Sequence, residues 1–109
     1  TYTDEIAAAT PGMIALRRDI HANPEIEFQE SRTAAIIAER LATAGLDVEE
    51  GIGGTGVAGV LKAIQMADAN VRADIDALPM AEQTGLPFAS NVGAMHACGH
   101  DCHVAISVT

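Results

Sequence analysis

Eight consecutive residues, His96-Ala-Cys-Gly-His-Asp-Cys-His103, constrain this chain more than any other stretch of it. They contain both of its cysteines and three of its four histidines, with an aspartate among them. Thiolate, imidazole and carboxylate together suit a Zn²⁺, Mn²⁺, Co²⁺ or Ni²⁺ ion. The plainer alternative is a set of loop residues beside a buried thiol, since a free Cys often serves as a small core hydrophobe. His96/Cys98, Cys98/His100 and His100/Cys102 are each two apart, so an extended backbone would project each pair to one face. Gly99 lies in the middle, where positive φ lets the chain bend tightly around an ion. The spacing matches no closed structural zinc site, which would want Cys-x-x-Cys units and a downstream His pair. The apolar run that follows, through Val108, reads as the start of a buried helix or strand. The cluster is therefore expected on a loop entering an apolar element, a common setting for catalytic ligands. Two or three ligands are visible, and a competent site needs more from elsewhere.

The rest of the chain alternates between helical and extended patterns. Ile6, Ala9, Met13, Leu16 and Ile20 recur at helical spacing between Thr3 and about Ala22, with Asp4 and Glu5 in the first turn, where they suit the dipole. Pro11 falls inside this run, so the helix either kinks there or begins near Thr10 with Pro11 at its first position. Asn23-Pro24 ends it. A second helix is expected from Glu30 or Ser31 to Ala44, burying Ala34, Ile37, Leu41 and Ala44. Ser31 is its candidate N-cap and Gly45 its stop. Leu46-Asp47-Val48, a glycine-rich segment and the run Val57–Ile64 follow. Gln65 to Asn70 reads as a turn, and Val71 to Asp76 as a strand. There is no internal repeat.

Gly51, Gly53 and Gly56 satisfy G-x-G-x-x-G, and Asp76 lies at the distance expected of a dinucleotide fingerprint. That fingerprint needs a helix immediately after the glycines. Val57, Val60 and Leu61 favour a strand instead, so the segment reads as a turn between strands. Asp74 and Asp76 flank Ile75 at the end of an apolar run, and alternation puts both carboxylates on one face. They are either a solvated strand end or crevice-facing groups. If they approach the Cys98/His100 loop, one could be a ligand and the other could orient a ligating imidazole.

Charge and composition narrow the partners. A net charge of −9 gives no basic surface to neutralise phosphates, which argues against nucleic acid. Arg17-Arg18, the only basic pair, is expected on the exposed side of the first helix. No apolar run approaches the ~18–20 residues of a membrane span, and no signal peptide is legible. Two cysteines inside one suspected metal loop form no disulfide framework, so a reducing cytoplasm fits best. The apolar share of 49% is enough for a core, although aromatics supply only 3%.

Four segments in order carry a family likeness: Leu16-Arg-Arg-Asp-Ile-His-Ala-Asn-Pro-Glu25, Gly53-Gly-Thr-Gly-Val-Ala-Gly59, Arg72-Ala-Asp-Ile-Asp-Ala-Leu-Pro-Met80 and Met95-His-Ala-Cys-Gly-His-Asp-Cys-His103. Together they resemble the N-terminal part of the metal-dependent amidohydrolases that include hippurate hydrolase, N-acyl-amino-acid amidohydrolase and the auxin–amino-acid conjugate hydrolases. The resemblance implies an α/β fold, the N-terminal portion of a zinc-peptidase-like catalytic domain of the aminoacylase/carboxypeptidase type. It implies a dinuclear site for two divalent ions, usually Mn²⁺ or Zn²⁺, with Cys98 and His100 as ligands. More distant relatives carry His-x-Asp-x-x-Pro where this chain has Asp74-Ile-Asp76-Ala-Leu-Pro79. Asp74 replaces the ligand His, so that role is not carried over. Asp76 keeps the position of the supporting catalytic Asp. For His96, Asp101 and His103 no more than a role behind the ligands is implied.

Members of this family are several times longer, so residues 1–109 are expected to be the N-terminal part of the catalytic domain. The general-base Glu, further ligands and a dimerisation domain would then lie beyond Thr109. The implied activity is cleavage of the amide of an N-acyl or N-aroyl amino acid by a metal-activated water. The implied partners are that small-molecule substrate and, at full length, a homo-oligomer. The competing expectation is a non-catalytic metal-binding or association fragment. In either case the 109 residues alone should be inactive.

Overall fold

The computed structural model describes residues 1–61 and 71–109. Its elements follow in the order α1 (Tyr2–Ala22), α2 (Ser31–Thr43), β1 (Asp47–Ile52), β2 (Gly56–Val60) and α3 (His100–Ser107). The turn expected over 65–70, and the end of the run expected to reach Ile64, lie outside the described residues.

Helix α1 starts where its sequence supplies a capping box, with the Thr1 hydroxyl accepting from the Asp4 N–H and the Asp4 carboxylate reaching back. It runs unbroken through Pro11, so a start near Thr10 is corrected. Proline removes one backbone donor, while the neighbouring Thr10 hydroxyl donates to the Ile6 carbonyl at 2.7 Å. Leu16 and Ile20 are buried, but Ile6, expected on the same stripe, is 62% exposed. The buried partners of this stripe, Ile37, Val104 and Ala105, gather only the residues from Met13 onward.

Helix α2 is capped from a distance. Glu30 stands at its N-cap, but its side chain makes no capping bond to the helix. The Glu25 carboxylate takes the free donors instead, from Arg32 N–H at 2.9 Å and from Thr33 N–H and hydroxyl at 2.6 and 2.7 Å. Ser31 is therefore the first helical residue, not the cap. At the other end Gly45 has φ +88°, its N–H bonding Ala42 and that of Leu46 bonding Leu41. This is the Schellman pattern that glycine favours, and it leaves Ala44 exposed where burial was expected.

The glycine segment is a hairpin turn, as its composition suggested, with β1 and β2 antiparallel and a bulge between Glu50 and Ile52. A strand, not a helix, follows the glycines, so the dinucleotide reading falls. Gly59 packs so tightly on α2 that a Cβ there would lie 2.9 Å from Leu46 and 3.0 Å from Leu41.

Residues 71–76 form no strand, contrary to expectation. A β conformation needs a neighbouring ladder, and among the described residues backbone pairing begins only at Ala77. Its N–H donates to the Glu25 carbonyl at 2.7 Å, and Leu78 exchanges two 2.9 Å bonds with Met95. Those bridges bring the Asp74–Asp76 segment beside the residues that precede α3. Ala73 and Ile75 pack against the core made by Leu16, Ile20, Ile37, Val104 and Ala105. Among the described residues, no helix is long and apolar enough to cross a membrane.

Candidate metal centre

The donor cluster does not lie in an extended segment. Gly99 takes φ +81° at the N-cap of α3, so His100, Asp101, Cys102 and His103 occupy the first helical turn. The left-handed residue is the bend that glycine makes inexpensive. One helical turn then sends four side chains in four directions. Asp101 is buried, Cys102 and His100 are partly covered, and His103 is exposed. Cys98, just before the bend, is exposed with a free thiol.

His100 is the best-defined member. Its Nδ1 lies 2.9 Å from the Asp76 carbonyl oxygen and 3.0 Å from Asp76 Oδ1. A carbonyl oxygen can only accept, so Nδ1 carries the proton and donates. In the neutral ring Nε2 is then left with a lone pair, the arrangement that a carboxylate–histidine–metal triad requires. Asp74 Oδ2 stands 4.0 Å from that Nε2, while its other oxygen, Oδ1, is paired with Arg72 at 2.8 Å. Both carboxylates of the Asp-Ile-Asp segment thus face the same imidazole, as alternation predicted, even though no strand forms.

Asp76 and His100 are thereby brought together, with Asp76 behind the ring, while Cys98 is close to them only through its place two residues before His100 in the chain. The donor chemistry fits a divalent ion in part: an oriented imidazole and an accessible thiol, one or two donors short of a shell. Among the described residues, no group of three or more His, Cys, Asp or Glu side chains is arranged to hold an ion.

His96 is different. It is 3% exposed, and both ring nitrogens are buried without a hydrogen-bond partner among the described residues. Burial is the main cause that holds its pKa below the usual histidine value, partly offset by the charge of Asp101.

A second polar assembly lies behind the loop. Asp101 Oδ2 is 2.7 Å from Arg17 Nε and 2.8 Å from His21 Nδ1. His21 Nε2 is in turn 2.8 Å from Glu82 Oε1. Glu82 also accepts the Ser90 N–H at 3.0 Å and the Thr84 hydroxyl. Those two bonds, chiefly the Ser90 amide, pull its pKa from 4.5 to about 2, with His21 adding to the effect. Phe88 closes the assembly, lying edge-on to His21 at 5.5 Å with Arg17 and Arg18 over its ring at 5.2 and 4.9 Å. Arg17 was expected on the exposed side of α1. It is drawn inward because Asp101, itself inaccessible, needs a countercharge. The parts played by His21, Glu82 and Phe88 went unread in the sequence. A usable signal was present, since Arg17 and His21 are four apart and flank the buried pair Leu16 and Ile20.

Comparison with known proteins gives this arrangement its kin. Residues 70–109 match the family described as peptidase family M20/M25/M40. The chain is a relative of the M20 peptidases. It is 49% identical over 90 residues to the hippurate hydrolase of Campylobacter jejuni, covering 81% of this chain and 24% of that protein. It is 46% identical over 97 residues to thermostable carboxypeptidase 1 of Saccharolobus solfataricus, covering 86% and 25%. Its structure superposes with a TM-score of 0.81 on the Bacillus subtilis YXEP protein, described as a dinuclear metal-binding peptidase of the M20 family. That match is 44% identical and covers 94% of this chain and 29% of YXEP. The α/β, zinc-peptidase-like fold class expected from the motifs is therefore the right one. The chain spans about a quarter of the length of the curated relatives it matches.

Proposed function

We propose that this chain is part of a metal-dependent amidohydrolase and supplies two ligands, Cys98 and His100, to a dinuclear centre. The observation that carries the reading is His100, with Nδ1 committed to Asp76 and Nε2 left open, two residues along the chain from the exposed, free thiol of Cys98. Mn²⁺ or Zn²⁺ is the expected metal, with Co²⁺ and Ni²⁺ compatible with the same donors. Ions held there supply Lewis-acid polarisation of an amide carbonyl and a lowered pKa for water. Cys98 and His100 would bind, and Asp76 would hold the ring of His100 in the tautomer and orientation that binding needs. The substrate class favoured is an N-acyl or N-aroyl amino acid, in keeping with the M20 relatives named hippurate hydrolase and N-acetylcysteine deacetylase. The two free cysteines suit a reducing, cytoplasmic setting. Assembly into a homo-oligomer belongs to the same reading.

Elemental analysis of the full protein tests it. Cys98→Ala and His100→Ala should each lower bound metal and abolish hydrolysis of hippurate and N-acetyl amino acids. Wild-type metal content in both variants would overturn the reading. The competing view, a non-catalytic metal-binding fragment, draws on the incomplete donor set among the described residues. Residues 1–109 alone should show no turnover with Mn²⁺ or Zn²⁺ on either view, so activity of the full protein separates the two.

A further inference from the structure

The buried assembly of Arg17, His21, Glu82 and Asp101 touches no ligand atom, yet it grips the residue next to His100. Helix α3 has no side-chain N-cap, and its cap residue is a left-handed glycine. A turn so begun has little local reason to sit in one orientation, because Gly99 can supply none of the side-chain bonds that fix a helix start. The first turn is anchored instead by Asp101, whose Oδ2 meets Arg17 at 2.7 Å and His21 at 2.8 Å. The ring of His21 spans from there to Glu82, and Glu82 is pinned by the Ser90 amide and Thr84 hydroxyl of its own loop. His100 is thus held from two sides: its ring by Asp76, its backbone turn by Asp101.

We infer that His21 is a positioning residue for the metal loop: by bridging Asp101 and Glu82, it holds the first turn of α3 so that His100 Nε2 and Cys98 converge on one ion. The inference rests on the metal reading of Cys98 and His100. Its geometry is independent of that reading, since His21 lies 80 positions from Asp101 in sequence and belongs to another helix. A two-ended imidazole suits this task. Its nitrogens point in opposite directions across a rigid ring, so moving one carboxylate displaces the other.

The test uses the full protein stripped of metal and titrated with Zn²⁺ against a competing chelator, and then loaded with Co²⁺ for absorption spectra. His21→Ala and Glu82→Gln should each weaken Zn²⁺ binding by about 10–100-fold, the usual loss for a missing partner behind a ligand. Both should shift the thiolate-to-Co²⁺ band. His21→Gln, able to meet one carboxylate, should recover part of the affinity. Glu25→Ala is the control: it strips the remote cap of α2 and lowers thermal stability, but should leave the Zn²⁺ affinity and Co²⁺ spectrum at wild-type values. Wild-type affinity and spectrum in His21→Ala, or equal losses in Glu25→Ala, would overturn the inference. If His21→Ala does not fold, Glu82→Gln and His21→Gln decide by the same two readouts. Cys98→Ala, run alongside, keeps the failures apart. If it retains metal, the metal reading fails; if it loses metal while the His21 and Glu82 variants do not, only the positioning role fails.

Discussion

The two polar assemblies at the start of α3 use the same side-chain types to opposite ends. Around Asp101 the carboxylate is inaccessible and meets two cationic or cation-capable partners within 2.8 Å. Around His100 the carboxylates stand half-open, Asp74 at 51% exposure and Asp76 at 32%, and one ring nitrogen faces outward. Adjacent residues of one helical turn thus point into two environments. The closed assembly shields its carboxylate by burial and by the contacts of Asp101 Oδ2 with Arg17 and His21, although Asp101 Oδ1 has no hydrogen-bond partner among the described residues. The open one has uncommitted donors but less to hold them in place. The difference suggests a division of labour in which the closed side fixes the backbone and the open side does the binding.

Breaking the closed side should produce the largest effect on stability. Asp101→Ala leaves Arg17 Nε and His21 facing an empty site, and removal of one partner from a buried pair costs about 3–5 kcal/mol. Urea denaturation of the full protein measures this as a drop in midpoint with little change in slope. A loss below about 1 kcal/mol would place Asp101 with surface pairs and dissolve the contrast between the two assemblies.

On the open side the expected loss is of function, not of fold. Asp76→Asn keeps a side chain able to meet His100 but removes the carboxylate charge behind the ring. The kcat should fall by about 10–100-fold, while thermal stability stays close to wild type. Unchanged turnover would make Asp76 a segment-end carboxylate and no more.

What the sequence revealed of this contrast follows the range of the interactions. The bend at Gly99, the stop of α2 at Gly45 and the glycine turn were legible because each is decided within a few residues by backbone conformation. The pairing of Asp76 with His100 spans 24 positions, and the sequence offered it only as a condition: if the two aspartates approached the loop, one of them could orient its imidazole. The Asp101–His21 contact spans 80 positions, and although the spacing of Arg17 and His21 beside Leu16 and Ile20 hinted at an inward face, nothing local names Asp101 as their partner. Arg17 misled for the same reason: a charged residue on a surface helix reads as solvated unless its distant counter-charge is known. The 71–76 segment erred in the other direction. Its β-type composition was real, but propensity alone does not pair a strand, and among the described residues backbone pairing begins only at Ala77.

Acid should attack the closed side first, through Glu82. Its carboxyl is held at about 2 in the fold, against an ordinary 4.5. A folded value below the unfolded one means that the ionised form is favoured in the fold. The stability this adds is fully present above about 4.5 and is lost as pH falls through the folded value near 2. Thermal melts of the full protein from pH 6 to 2 should therefore steepen below 4.5, and Glu82→Gln should flatten that portion of the curve. A variant that loses stability with the wild-type slope would show that Glu82 does not carry the acid sensitivity.

The smallest effect is expected from a pair that copies the closed side's chemistry in water. Arg32 Nη2 meets both Asp19 oxygens at 2.9 Å and ties α1 to α2, yet the side chains are 43% and 45% exposed. The geometry is as good as that of Arg17 and Asp101. What differs is the dielectric: near the surface, solvent weakens the attraction and restores most of what each charge loses on separation. A double-mutant cycle with Arg32→Ala and Asp19→Ala should give a coupling of about 0–1 kcal/mol that shrinks in high salt. The matching cycle on Arg17 and Asp101 should give a larger coupling that salt reduces much less. Equal couplings in the two cycles would mean that burial adds nothing to the grip on Asp101, and the anchoring of the first turn of α3 would have to come from packing of Val104 and Ala105 instead.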